Sequence, residues 1–149
     1  MKLVVDTNVL ITYYWNQSII HEILKLPFHF ISPEYALTEI QHHKQEIIKK
    51  SKCSHQTFQQ KSEQMVLSID FIPLDTYASS IKKASQLFDR SDGKRYDEFL
   101  KDIDFYALAL WSDSSIWTND TLFKEQDEIL VFSTKEMIKL CRHLIKNES

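Results

Sequence analysis

The sequence predicts an α/β fold: a three-layer α/β/α sandwich around a central, mainly parallel sheet. Short apolar runs rich in β-branched and aromatic residues alternate with longer helical segments along the whole chain. The first run, Leu3, Val4 and Val5, contains no polar residue, which is the pattern of a strand buried on both faces. Acids stand where strands should end, first at Asp6, and ligands of open α/β sheets sit outside those strand ends.

After the strand at 3–5, Thr7 and Asn8 offer N-cap oxygens to a helix over 9–15. A second helix covers 18–26 and stops at Pro27. Residues 28–31 form a short aromatic strand. Ser32 and Pro33 read as the cap and first position of a helix over 33–50. Ala36, Ile40 and Ile47 form its apolar face, and Glu39 lies in its second turn. A basic connection over 49–53 leads to Ser54, the cap of a helix to 67. Residues 69–72 make a third strand ended by Pro73, 74–88 a helix, and 89–95 a loop around Gly93. Asp102 and Asp104 open a helix to 111 that is otherwise apolar on all sides, hence central and buried. Residues 114–118 and 129–132 are the last strands, and Ser133 caps a final helix to 146.

Length and composition predict one domain, 1–149, of ordinary globular character, with 43% hydrophobic and 26% charged residues. The net charge of −3 gives no global basic signature, so a nucleic-acid partner must be met locally or through metal ions. Cys53 and Cys141 lack metal-ligand spacing and fit a reducing compartment. With no signal peptide and no membrane span in view, a cytoplasmic protein is expected. A single glycine excludes glycine-rich phosphate loops.

Four places then carry acids where this fold would expose them at one edge: Asp6, Glu39, Asp102 with Asp104, and Asp120. Carboxylates that converge repel one another unless cations neutralise them. Oxygen-only ligation suits Mg²⁺ or Mn²⁺, ions that polarise a phosphodiester and stabilise its transition state.

These residues resemble the motifs of the PIN domain family, which includes VapC-type toxin ribonucleases. VVDTNVL (4–10) is similar to the family's opening hhDTNhL, and ISPEYALTEI (31–40) to its second motif, with Glu39 as the acid. DIDFYALAL (102–110) resembles the third, and IWTND (116–120) the fourth. The motifs occur in family order and span nearly the whole chain. The resemblance implies a metal-dependent endoribonuclease in which Asp6, Glu39, Asp102 and Asp120 hold one or two Mg²⁺ or Mn²⁺ ions. Asp104 is the rival of Asp102, since two positions apart on a helix they point to different sides. Asn8, Thr118 and Asn119 would orient the carboxylates from behind. The resemblance also implies RNA as substrate, an antitoxin as a possible partner, and a homodimer. The alternative is a catalytically silent PIN-fold module that binds RNA or a protein. The chain departs from many members in having Leu122 where a further acid stands, and in a long 89–101 segment.

Other residues are weighed against plainer roles. His42 and His43 follow Glu39 at ligand-compatible spacing but read better as exposed helix histidines. Lys44, Lys49, Lys50, Lys52 and Lys61 form a basic arm that is as readily a solvated face as an RNA contact. Lys94 and Arg95 are candidate RNA contacts near the expected mouth. Trp111 and Trp117 are expected in the core, as are Tyr13, Tyr14 and Trp15, which might otherwise line an RNA groove or a dimer contact. Asp89, Asp92, Asp97 and Glu98 are expected to solvate a loop, the alternative being that one of them reaches the site.

Overall fold

Leu3, Val4 and Val5 have no solvent exposure, because their strand lies in the middle of the sheet with neighbours on both sides. The structure is a computed structural model and describes residues 1–148. Strand β1 (Lys2–Val5) leads through Asp6 into α1 (Thr7–Ile11), a 3-10 turn (Thr12–Tyr14) and α2 (Ile20–Ile23). Then come β2 (His29–Pro33), α3 (Tyr35–His42), α4 (Lys44–Ser51), α5 (His55–Ser68) and β3 (Asp70–Ile72). The chain continues through α6 (Leu74–Tyr77), a second 3-10 turn (Ala78–Ser80), α7 (Ile81–Ala84), α8 (Gly93–Lys101) and α9 (Ile103–Ser112). It ends with β4 (Ser115–Trp117), a third 3-10 turn (Thr121–Glu125), β5 (Val131–Phe132) and α10 (Thr134–Glu148).

The strands are all parallel, in the order β3-β2-β1-β4-β5, with helices on both faces, which makes the three-layer α/β/α sandwich. The chain builds outward from β1 to β3, then returns to the other side of β1 for β4 and β5. The gap between the ends of β1 and β4 is therefore the switch point of the sheet, where crossovers leave in opposite directions and open a crevice. Helix α9 packs across β1, β2 and β4, with α6 and α7 packed on it. Its sequence is apolar all round because it is enclosed.

Several local expectations are corrected. Ser32 and Pro33 end β2 instead of opening a helix. The Ser32 hydroxyl, fully buried, donates to the Val5 carbonyl (2.8 Å) and ties β2 to the end of β1. The helix expected over 33–50 is two helices that break at His43, where ψ is near zero. The 74–88 helix is likewise divided into α6, a 3-10 turn and α7. The long 89–101 segment is mostly helix, since Asp92 caps α8 by accepting the Arg95 N–H. Trp111, in the last turn of α9, is 47% exposed, whereas Trp117 is fully buried. Tyr13 and Tyr14 are core residues as expected, with Tyr14 stacked on Phe58 at 4.6 Å. Ser133 does cap α10, and Glu136 answers it: Glu136 N–H donates to Ser133 Oγ, and Ser133 N–H to Glu136 Oε1.

Between the third 3-10 turn and β5, buried Gln126 satisfies an irregular backbone. Its Nε2 donates to the Phe123 and Ile129 carbonyls (2.9 and 2.8 Å), and its Oε1 accepts the Ile129 N–H (2.8 Å). Gln126→Ala strands all of these groups, and stability should fall by about 2–3 kcal/mol. A lower urea midpoint with unchanged m-value is the expected measurement.

Candidate functional site

Strand β1 delivers Asp6 to the switch point, and its backbone is fixed on both sides. The Asp6 N–H donates to the Trp117 carbonyl (3.0 Å), and its own carbonyl accepts from Val9 and Leu10 to start α1. The side chain is 4% exposed. Thr118, just past β4, donates its hydroxyl to Asp6 Oδ2 (2.7 Å) and accepts the Asp120 N–H on the same oxygen (3.0 Å). One threonine thus sets the spacing of two acids. Asp120 is exposed, and its Oδ1 accepts the Leu122 N–H at the start of the third 3-10 turn.

Glu39 enters from the second turn of α3, half-buried, and accepts the Thr7 hydroxyl on Oε1 (2.7 Å). The sequence offers Thr7 as a helix cap; its hydroxyl positions Glu39 instead. Asp102 sits at the joint between α8 and α9, where it is the N-cap residue of α9 but makes no side-chain cap bond. Its carboxyl group is thereby left for the crevice. Asp104, one turn-fraction on, is claimed by a neighbour: the Tyr77 hydroxyl donates to its Oδ1 (2.7 Å).

The acids act on one another. Burial, with the charges of Glu39 and Asp120 and against the Thr118 hydrogen bond, pushes the Asp6 carboxyl up to about 6. Burial first, then Asp6, Glu39, Asp120 and Glu98, pushes Asp102 up to about 7. Glu39 is also raised, by burial and by Asp104, against the Thr7 hydroxyl and the nearby His43. Among the described residues, none of these acids has a Lys or Arg ion-pair partner. Nor is any group of three His, Cys, Asp or Glu side chains among them already arranged to hold an ion.

The remaining sequence-singled residues fall elsewhere. Asn8 is exposed and lines a separate hollow with Ile11, Trp15, His43, Glu46, Ile47 and Lys50. Asn119 is bound to the start of α10, donating to Thr134 Oγ1 and accepting the Thr134 N–H. Lys94 is exposed, while Arg95 pairs with Glu125 and, at 3.9 Å, with Asp92. His42 and His43 are exposed, ring against ring at 5.3 Å. Within the basic arm, Lys44 lies over the Phe58 ring, Lys50 pairs with Glu46, and Lys61 donates to the Tyr14 carbonyl and Asn16. Glu98, read as a loop acid, lies on α8 and its charge reaches Asp102. Tyr35 and Tyr106, both missed in the sequence, feel the acids as well, and the Tyr106 hydroxyl is buried without a hydrogen-bond partner. Tyr106 stands four residues after Asp102, a spacing that could have marked it.

Fold and site together define an α/β protein with an acidic crevice at the switch point of a parallel sheet. The PIN domain family matches residues 4–134, and the chain belongs to that family. A chain of the VapBC2 complex of Rickettsia felis, solved with a DNA fragment from its promoter, is similar in structure with a TM-score of 0.58. The two are 16% identical over 89% of this chain and 98% of that one, a likeness that shows the fold. No curated protein matches the chain by sequence. No helix among the described residues is long and apolar enough to cross a membrane.

The raised carboxyls set a pH dependence. Asp6 and Asp102 hold protons in the folded, cation-free protein that they release when unfolded, so their contribution falls as pH rises from about 4 to about 7. Asp102→Asn removes one such group. Across urea titrations between pH 4 and 8, this variant should gain stability relative to the unaltered protein as pH rises, most clearly at pH 7 and above.

Proposed function

We propose that this chain is a divalent-cation-dependent endoribonuclease, and the toxin of a pair with an antitoxin protein. The observation that carries the reading is the mutual charge of Asp6, Glu39, Asp102 and Asp120 at the end of the sheet, with no Lys or Arg paired to them among the described residues. Asp6, Asp102 and Asp120 would hold Mg²⁺ or Mn²⁺, with Glu39 completing the set. The donors fit such an ion: they are all oxygen, they carry excess negative charge, and a buried hydroxyl beside them lacks a partner.

When bound, the ion supplies neutralising charge and Lewis acidity toward a phosphodiester. The protein's own residues do the positioning. Thr118 holds the Asp6 carboxyl and the Asp120 backbone, and Thr7 holds the Glu39 carboxyl. Asp102, pushed up by burial and by the neighbouring acids, is the carboxyl whose ionisation a bound cation would favour most. Water attacks phosphorus directly, with no covalent intermediate. RNA as the substrate and the antitoxin as partner rest on family membership and on the likeness to a chain of the VapBC2 complex. A homodimer and a cytoplasmic setting are proposed on the same footing.

Asp6→Asn and Asp120→Asn should each lower Mn²⁺-dependent cleavage of a single-stranded RNA by about 100-fold or more, the scale of losing a charge-stabilising group at a reacting centre. EDTA should abolish cleavage in the unaltered protein. Cleavage that survives both Asp6→Asn and chelation refutes the mechanism, and RNA binding without any cleavage would identify a silent module.

A further inference from the structure

Tyr106 is fully buried, yet its hydroxyl meets no hydrogen-bond partner, the one such side-chain atom among the described residues. Buried hydroxyls are almost always bonded, so an orphan marks a place where something else binds. Its position says what. Tyr106 follows Asp102 by four residues on α9, so the two share a helix face. Its ring stacks on Phe123 with centroids 4.6 Å apart and planes 11° from parallel. Phe123 belongs to the 3-10 turn that Asp120 caps, and its N–H donates to the Asp120 carbonyl. Phe99 closes the other side edge-on at 4.8 Å. The ring is thus clamped between the elements that carry Asp102 and Asp120, and cannot swing its hydroxyl out to water. The charges of Asp102, Asp120 and Asp6 all bear on that hydroxyl.

We propose that Tyr106 is a positioning residue for the cation, its hydroxyl bonding a water of a hydrated divalent ion held by Asp6, Asp102 and Asp120. The inference rests on the cation-binding reading of the site given above. Mg²⁺ keeps several of its waters when bound to protein, and such waters need partners. A tyrosine enclosed by Phe88, Phe99 and Phe123 has no packing reason to carry a hydroxyl, since phenylalanine would fill the same space.

Tyr106→Phe tests the assignment with little change of shape. Mn²⁺ binding is measured by calorimetric titration, and the melting temperature is measured without metal. The variant should bind Mn²⁺ about tenfold more weakly, the usual cost of removing an outer partner of a metal site. Its metal-free melting temperature should be unchanged or higher, because no group is left unpaired. Equal Mn²⁺ affinity in both proteins overturns the inference. So does a clear fall in metal-free melting temperature, which would show the hydroxyl bonded within the protein. If the unaltered protein binds no Mn²⁺, the cation reading and the inference fall together. If it binds Mn²⁺ and Tyr106→Phe matches it, only the inference falls.

Discussion

A carboxyl group at the end of the central strand, almost closed to water, constrains the rest of this structure. Asp6 is not there by accident of a turn: its N–H is bonded to β4, its carbonyl to α1, and one side-chain oxygen to Thr118 just past β4. Burying it is unfavourable, as its raised pKa shows, and the Thr118 hydroxyl offsets only part of that. A fold selected for stability alone would place an apolar residue here. The sheet order explains why an acid is tolerated. With β2 and β4 on either side of β1, the crossovers leave in opposite directions and Asp6 stands at the switch point of the sheet, where ligands of open α/β sheets bind.

The other acids reach that crevice by small departures from regular structure. Pro33 closes β2 so that α3 starts two residues later and turns Glu39 inward toward Thr7. Residues α8 and α9 would make one long helix but break at Asp102, which leaves a carboxyl group without a backbone bond. Thr118 interrupts the chain after β4 and aims Asp120.

The sequence was most legible where local pattern and tertiary role agree. A continuous apolar run can only be a central strand here, and an acid after it can only stand at the sheet edge, so β1, β2, β4 and Asp6 were readable. The PIN motifs placed Glu39, Asp102 and Asp120 in order. What was hidden depended on contacts distant in sequence. Ser32 and Pro33 have the local form of a helix start, but the Val5 carbonyl draws the Ser32 hydroxyl inward and keeps the segment in the sheet. Helix α8 has a polar sequence whose few apolar positions, Tyr96 and Phe99, are recognisable only against Phe88 and Tyr106. Tyr106 itself was lost within an apolar helix, because periodicity sees a ring and not the state of its hydroxyl.

A crevice of this charge repels the polyanion it is proposed to cut. Both RNA and the acids of the site are negative, the chain as a whole carries −3, and Arg95 is held by Glu125 and Asp92. Phosphate approach is therefore unfavourable until a cation sits between the two sets of oxygens. An ion that relieved Asp6 and Asp102 of their mutual repulsion would also attract the incoming phosphate. Because such linkage is reciprocal, substrate must hold the cation as firmly as the cation recruits substrate. On this reading the acids are not simply ligands. Their uncompensated charge keeps the site closed to nucleic acid until it is loaded, and the buried position of Asp6 makes that charge effective.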